Sequence, residues 1–256
     1  MSEPAPCLPA IVLAGGKTRP EFAAEAGVER RALAEIHGRT MVSYVLRALR
    51  QAATIGEILL AAPPDFPPQP EADRHVAVDD GLEENIRAAL THCAGAEFVV
   101  LVTADIPFLR PESIDDYVRA SLATGADLCY SAITQETCQA QFPEMKRTYL
   151  YTPTGGVTGG NVVVQRVATY ERQAETLREA YAARKNPVFL AKLIGLRNVF
   201  KLVTRRLTLK DIEQATGRLM GVKVRLVETP HADLGTDVDR PEDLRLARER
   251  LHPKSS

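Results

Sequence analysis

Little cysteine, no charge excess and no long apolar run mark this chain, and each shortage removes a class of function. Cys7, Cys93, Cys129 and Cys138 form no C-x-x-C pair and keep no metal-ligand spacing with the five histidines. They read as scattered reduced thiols of a cytosolic protein, not as a disulfide framework or a zinc site. Basic and acidic residues nearly balance, 32 against 33, for a net charge of -1. That leaves no global drive toward nucleic acid or an anionic membrane, so any handling of anions must come from local clusters. No apolar run reaches the ~18 residues that span a bilayer. The opening MSEPAPCLPA has neither the basic n-region nor the long apolar h-region of a secretory signal. A cytoplasmic location is expected. No internal repeat is present.

What the chain does have is an ordinary globular composition, 45% hydrophobic and 25% charged over 256 residues. Short apolar, β-branched runs at 8–14, 57–62, 75–80 and 97–105 predict buried strands, because near-continuous apolar runs suit parallel strands covered on both faces. Segments 39–52, 82–93 and 110–125 carry apolar residues at helical spacing or a helix frame, the last opening on Pro111 and closing at Gly125. Further strands are expected at 127–133, 147–152, 160–165 and 221–228. A last helix is expected at 241–251, where Pro241 precedes two acids. The alternation predicts βαβ units in an α/β, Rossmann-like doubly wound sheet. A single domain over 1–256 is expected, with the Pro-rich 62–73 as a surface loop and disorder at 1–7 and 252–256.

In such sheets ligands bind beyond the carboxyl ends of the strands, and three features fall there. The first is IVLAGGKTR, 11–19. Its GGKT resembles the end of a P-loop, but G-x-x-x-x-G-K-[ST] would need a glycine where Ile11 stands. Gly15 and Gly16 would instead let backbone N–H groups approach a phosphate, with Lys17 and Arg19 adding charge; a tight turn with two solvated cations is the plainer alternative. The second is LVTADIPFL, 101–109, where Asp105 ends an apolar strand and is placed either to hold a hard cation such as Mg²⁺ or to cap a turn. The third is DLGTDVDRPEDL, 233–244. Asp237 and Asp239 alternate along an extended segment and so point to opposite sides, and Asp239 stands close to a helix N-cap. Two separated carboxylates and a glycine loop suggest metal-bridged phosphoryl or nucleotidyl transfer.

Taken in order, these motifs resemble the glycosyltransferase-A-like nucleotidyltransferases, especially the molybdenum-cofactor (MobA-like) nucleotidyltransferase group, over roughly 9–251. The resemblance implies a mostly parallel mixed sheet flanked by helices and transfer of NMP from an NTP, CTP or GTP, to a phosphorylated or hydroxylated small molecule. It implies that Leu13, Ala14, Gly15, Gly16 and Lys17 bind the triphosphate, joined by Thr103 and Ala104 at the strand end, and that Asp105, with Asp237 or Asp239, binds Mg²⁺. Asn85, in GLEENIRAAL, falls where relatives contact the base; an ordinary helix start is the alternative. Gly159, Gly160 and Asn161, in TGGVTGGN, fall where relatives meet the acceptor or ribose, a flexible hairpin being the alternative.

The chain departs from the family pattern in its cations. Arg19 follows Lys17 and Thr18 where the family loop continues S-x-R-M-G, and Arg31 stands where a lysine is usual. Both would neutralise charge on the transferring group. A sugar-nucleotide glycosyltransferase on the same fold and a non-catalytic nucleotide sensor are the rival readings. The expected partners are an NTP and a small acceptor, without nucleic acid, for a monomer or homodimer. From Arg184 to Lys210 eight basic residues occur with no acid. This implies a basic helical insertion over 184–220, read first as a solvated face and second as a cover for the acceptor or a membrane contact.

Overall fold

The computed structural model describes residues 7–78, 81–171 and 195–252. The elements run β1 (Leu8–Leu13), α1 (Pro20–Ala26), β2 (Glu35–Ile36), β3 (Arg39–Thr40), α2 (Met41–Gln51), β4 (Ile55–Ala62), β5 (Arg74–Ala77), α3 (Leu82–Leu90), β6 (Phe98–Thr103) and α4 (Pro111–Ala123). They continue β7 (Leu128–Thr134), α5 (Gln135–Gln141), β8 (Leu150–Thr152), β9 (Gly155–Arg166), α6 (Leu196–Val203), α7 (Leu209–Met220), β10 (Val224–Glu228) and α8 (Pro241–Arg250). Pro111 and Pro241 open their helices as predicted, where the missing N–H costs nothing. Sequence reading missed α1 and α5, each only seven residues long. Among the described residues no helix is long and apolar enough to cross a membrane.

The sheet has eight strands, with order β10-β7-β9-β6-β1-β4-β5 and β8 against β9. β1 pairs in parallel with both β4 and β6, whereas β9 runs antiparallel to β6 and β7. This is a mostly parallel mixed sheet flanked by helices, an α/β fold. β1 shows why its sequence is continuously apolar. Val12 packs toward Val45, Leu46 and Leu49 of α2, while Ile11 packs on the other face with Ile86, Ala89 and Leu90 of α3. The chain moves outward from β1 through β4 to β5, then returns to β6 on the other side of β1. That reversal opens a crevice at the carboxyl ends of β1 and β6, where Leu13 and Thr103 are register partners.

The glycine-rich 154–161 is mostly not a loop. β9 begins at Gly155, earlier than the predicted 160–165, and pairs with β8 and the end of β7. The glycines answer to packing within the protein. A Cβ on Gly159 would stand 2.6 Å from Tyr130 Cε1, and one on Gly160 would stand 2.3 Å from Ser131 Oγ and 2.9 Å from the Leu234 carbonyl oxygen. The register between β7 and β9 shifts at the same place, between Tyr130 and Ala132.

Within the predicted basic insertion, 184–194 lies outside the described residues, as do 1–6 and 253–256 of the tails. The remainder forms α6 and α7, the latter opened by a capping box between Thr208 and Asp211. Lys201 on α6 donates to Asp211 Oδ1 at 2.5 Å. Arg205, at φ 54°, lies 5.5 Å from the Tyr151 ring.

Candidate active site

β6 ends at Thr103, and Ala104 and Asp105 continue beside β1, with the Ala104 N–H donating to the Leu13 carbonyl at 3.2 Å. Asp105 is 9% exposed, and a carboxylate so placed needs partners. Thr103 Oγ1 donates to Asp105 Oδ1 at 2.5 Å, and Asn161 Nδ2, from β9, donates to Thr103 Oγ1 at 2.9 Å and to Asp105 Oδ1 at 3.4 Å. The other oxygen, Oδ2, pairs with Arg31 Nη2 at 3.2 Å. The same guanidinium reaches Asp239 through Nη1. Two carboxylates far apart in the chain therefore share one cation.

Asp239 arrives there through backbone pairing. The Val238 N–H donates to the Asp105 carbonyl at 2.9 Å, which draws the extended 237–239 segment alongside the turn after β6. Alternation then sends the two carboxylates apart. Asp239 faces Arg31, and Asp237 pairs with Arg147 Nη2 at 2.9 Å. The N-terminus of α8 is served by Asp243, whose Oδ2 accepts from the Asp239 and Arg240 backbone N–H groups. The Asp239 side chain is left to the crevice rather than to capping.

The glycine loop after β1 is laced to the segment that carries Arg31. Thr18 N–H donates to the Glu29 carbonyl at 2.9 Å, Lys17 and Arg30 form a β-bridge, and Arg30 Nη1 donates to the Gly15 carbonyl at 3.2 Å. Between loop and carboxylates lies a recess of about 30 Å³ lined by Leu13, Ala14, Gly16, Arg31, Ala104 and Asp105. Lys17, next to Gly16 in the chain, is exposed. Arg19 is exposed at the N-cap position of α1. Gly16 does not have the left-handed backbone that would demand glycine, and a Cβ there would meet nothing within 4 Å. Gly15 is tighter, since its Cβ would stand 3.1 Å from Asn85 Nδ2. Asn85 lies inside α3, 7% exposed, and its Oδ1 has no hydrogen-bond partner. A buried orphan acceptor beside a glycine loop is a feature that a ligand donor would satisfy.

A larger cleft of about 640 Å³ adjoins the recess, and Leu13 lines both. Its lining includes Thr103, Gly160 and Asn161 together with the apolar Leu101, Val163 and Leu226. Gly159 instead packs against Tyr130. Thr103, Asp105, Asn161, Arg31 and Asp239 are thus gathered at one point, with Ala14 and Gly16 beside it. Arg30 and Arg147 were missed by sequence reading, because a basic residue in a non-periodic segment gives no signal of which carboxylate or carbonyl it will meet.

A family model, the MobA-like NTP transferase domain, matches residues 10–223. A hypothetical transferase from Thermus thermophilus is 36% identical, with a TM-score of 0.80 over 93% of this chain and 99% of that one. CMP:2-keto-3-deoxy-manno-octonic acid synthetase complexed with CTP is 14% identical, with a TM-score of 0.58 over 96% of this chain and 98% of that one. The 2-C-methyl-D-erythritol 4-phosphate cytidylyltransferase of Thermus thermophilus is 18% identical, with a TM-score of 0.53 over 95% of this chain and 98% of that one. The last two share the fold. No curated protein matches the chain significantly. With most of its length covered by the family model, and a strand-end carboxylate, glycine loop and second carboxylate gathered in one crevice, the chain belongs to the MobA-like NTP transferase family and is a nucleotidyltransferase.

Proposed function

We propose that the protein transfers NMP from an NTP, CTP or GTP, to a phosphorylated or hydroxylated small-molecule acceptor, with release of pyrophosphate and dependence on Mg²⁺. The observation that carries this reading is the convergence of Asp105 and Asp239 on one cation beside the glycine loop. Among the described residues no group of three or more His, Cys, Asp or Glu side chains is placed to hold a metal ion. Two carboxylates nevertheless fit a hard cation that completes its shell with water and phosphate oxygens. Mg²⁺ bound by Asp105 and Asp239 would supply charge neutralisation on the triphosphate. One structural neighbour is complexed with CTP and another is a cytidylyltransferase, which favours CTP as donor.

The chain's own residues position the reactants and stabilise charge. Backbone N–H groups at Gly15 and Gly16, with Lys17, receive the β- and γ-phosphates. Arg31 neutralises the transferring phosphoryl group, and Asn85 contacts the base side of the nucleotide. Asn161 holds Thr103 and Asp105 in place, and with Gly160 it borders the acceptor. An acceptor oxygen attacks the α-phosphorus, a new P–O bond forms, and the bond to the β-phosphate oxygen breaks. Arg19, at the N-cap of α1, adds positive charge for the transferring group, and Asp237 is held by Arg147. The test is pyrophosphate release with each NTP, Mg²⁺ and panels of phosphorylated and hydroxylated acceptors. One NTP should support release in the presence of its acceptor. NTP binding without release across both panels would point to a nucleotide sensor.

A further inference from the structure

We infer that Arg31 is a resident counter-ion that closes the divalent-cation site of the free protein, so that the cation enters only together with the triphosphate. This rests on the nucleotidyltransferase reading above. The guanidinium lies between the two carboxylates, with Nη2 on Asp105 Oδ2 at 3.2 Å and Nη1 on Asp239 Oδ1. The remaining oxygen of Asp105 is engaged by Thr103 Oγ1 and Asn161 Nδ2. Asp237 offers no substitute, being held by Arg147 at 2.9 Å. Arg31 already occupies the space between Asp105 and Asp239, and a second positive ion there would meet both its bulk and its charge. The planar guanidinium suits this role, since its two terminal nitrogens reach two carboxylates at once, which a lysine ammonium of shorter reach does not reproduce.

Arg31 also has somewhere to go. It lines the same recess as Leu13, Ala14 and Gly16, so phosphate oxygens received by the glycine loop would lie within its sweep. Triphosphate would then do two things: it would bring the cation, and it would offer the guanidinium a replacement anion. Cation and nucleotide therefore bind with positive coupling, and the free protein is a poor metal binder because its metal-competent state is minor. Arg31 is in this respect a positioning residue as well as a phosphate ligand.

The test uses Mn²⁺ as the probe, titrated into the full chain and followed by the electron paramagnetic resonance signal of the free ion. Without nucleotide, Arg31→Gln is expected to bind Mn²⁺ about tenfold or more tighter than wild type, within the usual range of coupling between sites. Arg31→Gln combined with Asp105→Asn should lose that gain. With a non-hydrolysable α,β-methylene analogue of the NTP, wild type should gain Mn²⁺ affinity by a similar factor, and Arg31→Gln by clearly less. Arg31→Lys, which keeps the charge, should fall between and serves if the glutamine variant does not fold. Tight Mn²⁺ binding by wild type without nucleotide overturns the inference, as does a folded Arg31→Gln that binds no tighter. Absence of Mn²⁺ binding in every variant even with nucleotide overturns the metal reading itself, and the inference with it.

Discussion

Replacing Gly16 by valine separates a phosphate-binding loop from a plain turn, because the free protein leaves room for the new side chain. A Cβ at Gly16 meets nothing within 4 Å, and the backbone there is not left-handed. The folded state should therefore tolerate valine within about 0.5 kcal/mol, the range of substitutions that touch no packed feature. Nucleotide binding should not tolerate it. Gly16 lines the recess beside Arg31 and Asp105, and isopropyl bulk there would displace a phosphate from the loop N–H groups. A hydrogen bond to a charged group contributes about 1.5–3 kcal/mol. Losing one lowers NTP affinity about 10- to 150-fold, at about 1.4 kcal/mol per decade. Lys17→Ala sets the comparison. Lys17 is exposed, and one solvent-screened charge contributes at most about 1 kcal/mol, or roughly fivefold. Isothermal titration of each NTP into both variants, with melting temperatures alongside, measures the contrast. Unchanged affinity in a folded Gly16→Val, or a larger loss in Lys17→Ala, refutes the reasoning.

Asp105→Asn keeps the shape of the turn and removes the charge that pairs with Arg31, so turnover is expected to fall about 100-fold or more with little change in melting temperature; near-wild-type turnover would end the metal assignment. Gly160→Ala places a Cβ 2.9 Å from the Leu234 carbonyl oxygen and should cost about 1–3 kcal/mol of stability in urea unfolding. An unchanged midpoint would show that β9 and the 232–235 turn can separate freely. Neutralising Arg205 and Arg206 to Gln is expected to raise the KM of a phosphorylated acceptor and leave NTP binding unchanged. Loss of sedimentation with anionic vesicles would instead identify a membrane contact, and no effect of either kind would leave a solvated basic face. The Lys201 ammonium holds the Asp211 carboxyl at about 2, below its ordinary 3.8. A depressed carboxylate contributes stability that is present above pH about 4 and lost as pH falls toward about 2. Asp211→Asn should therefore flatten that part of the acid-unfolding curve in circular dichroism, and an unaltered curve counts against the pair.

Much of the sheet was legible because its signal is local. β1, β4 and β6 must be apolar on both faces, so each reads as a short continuous run, and the prolines that open α4 and α8 mark helix starts within a residue. Asp105 was legible for a related reason, since a carboxylate at the end of such a run must have partners or a ligand. The glycines of β9 signalled a close approach without saying to what. Here the approaching groups are Tyr130, Ser131 and Leu234, remote in sequence from Gly159 and Gly160.

Sequence alone determined that Asp237 and Asp239 diverge, because side chains alternate along any extended segment. Which of them turns toward Asp105 was decided by one tertiary hydrogen bond, from Val238 N–H to the Asp105 carbonyl, which sets the register of the segment against the turn after β6. The same holds for the arginines. Their charge is written in the sequence, but Arg31 comes to bridge Asp105 and Asp239, and Arg147 to hold Asp237, only when segments far apart in the chain are packed at one crevice. A guanidinium on a long flexible stem accepts any nearby carboxylate, and only the fold determines which one is near.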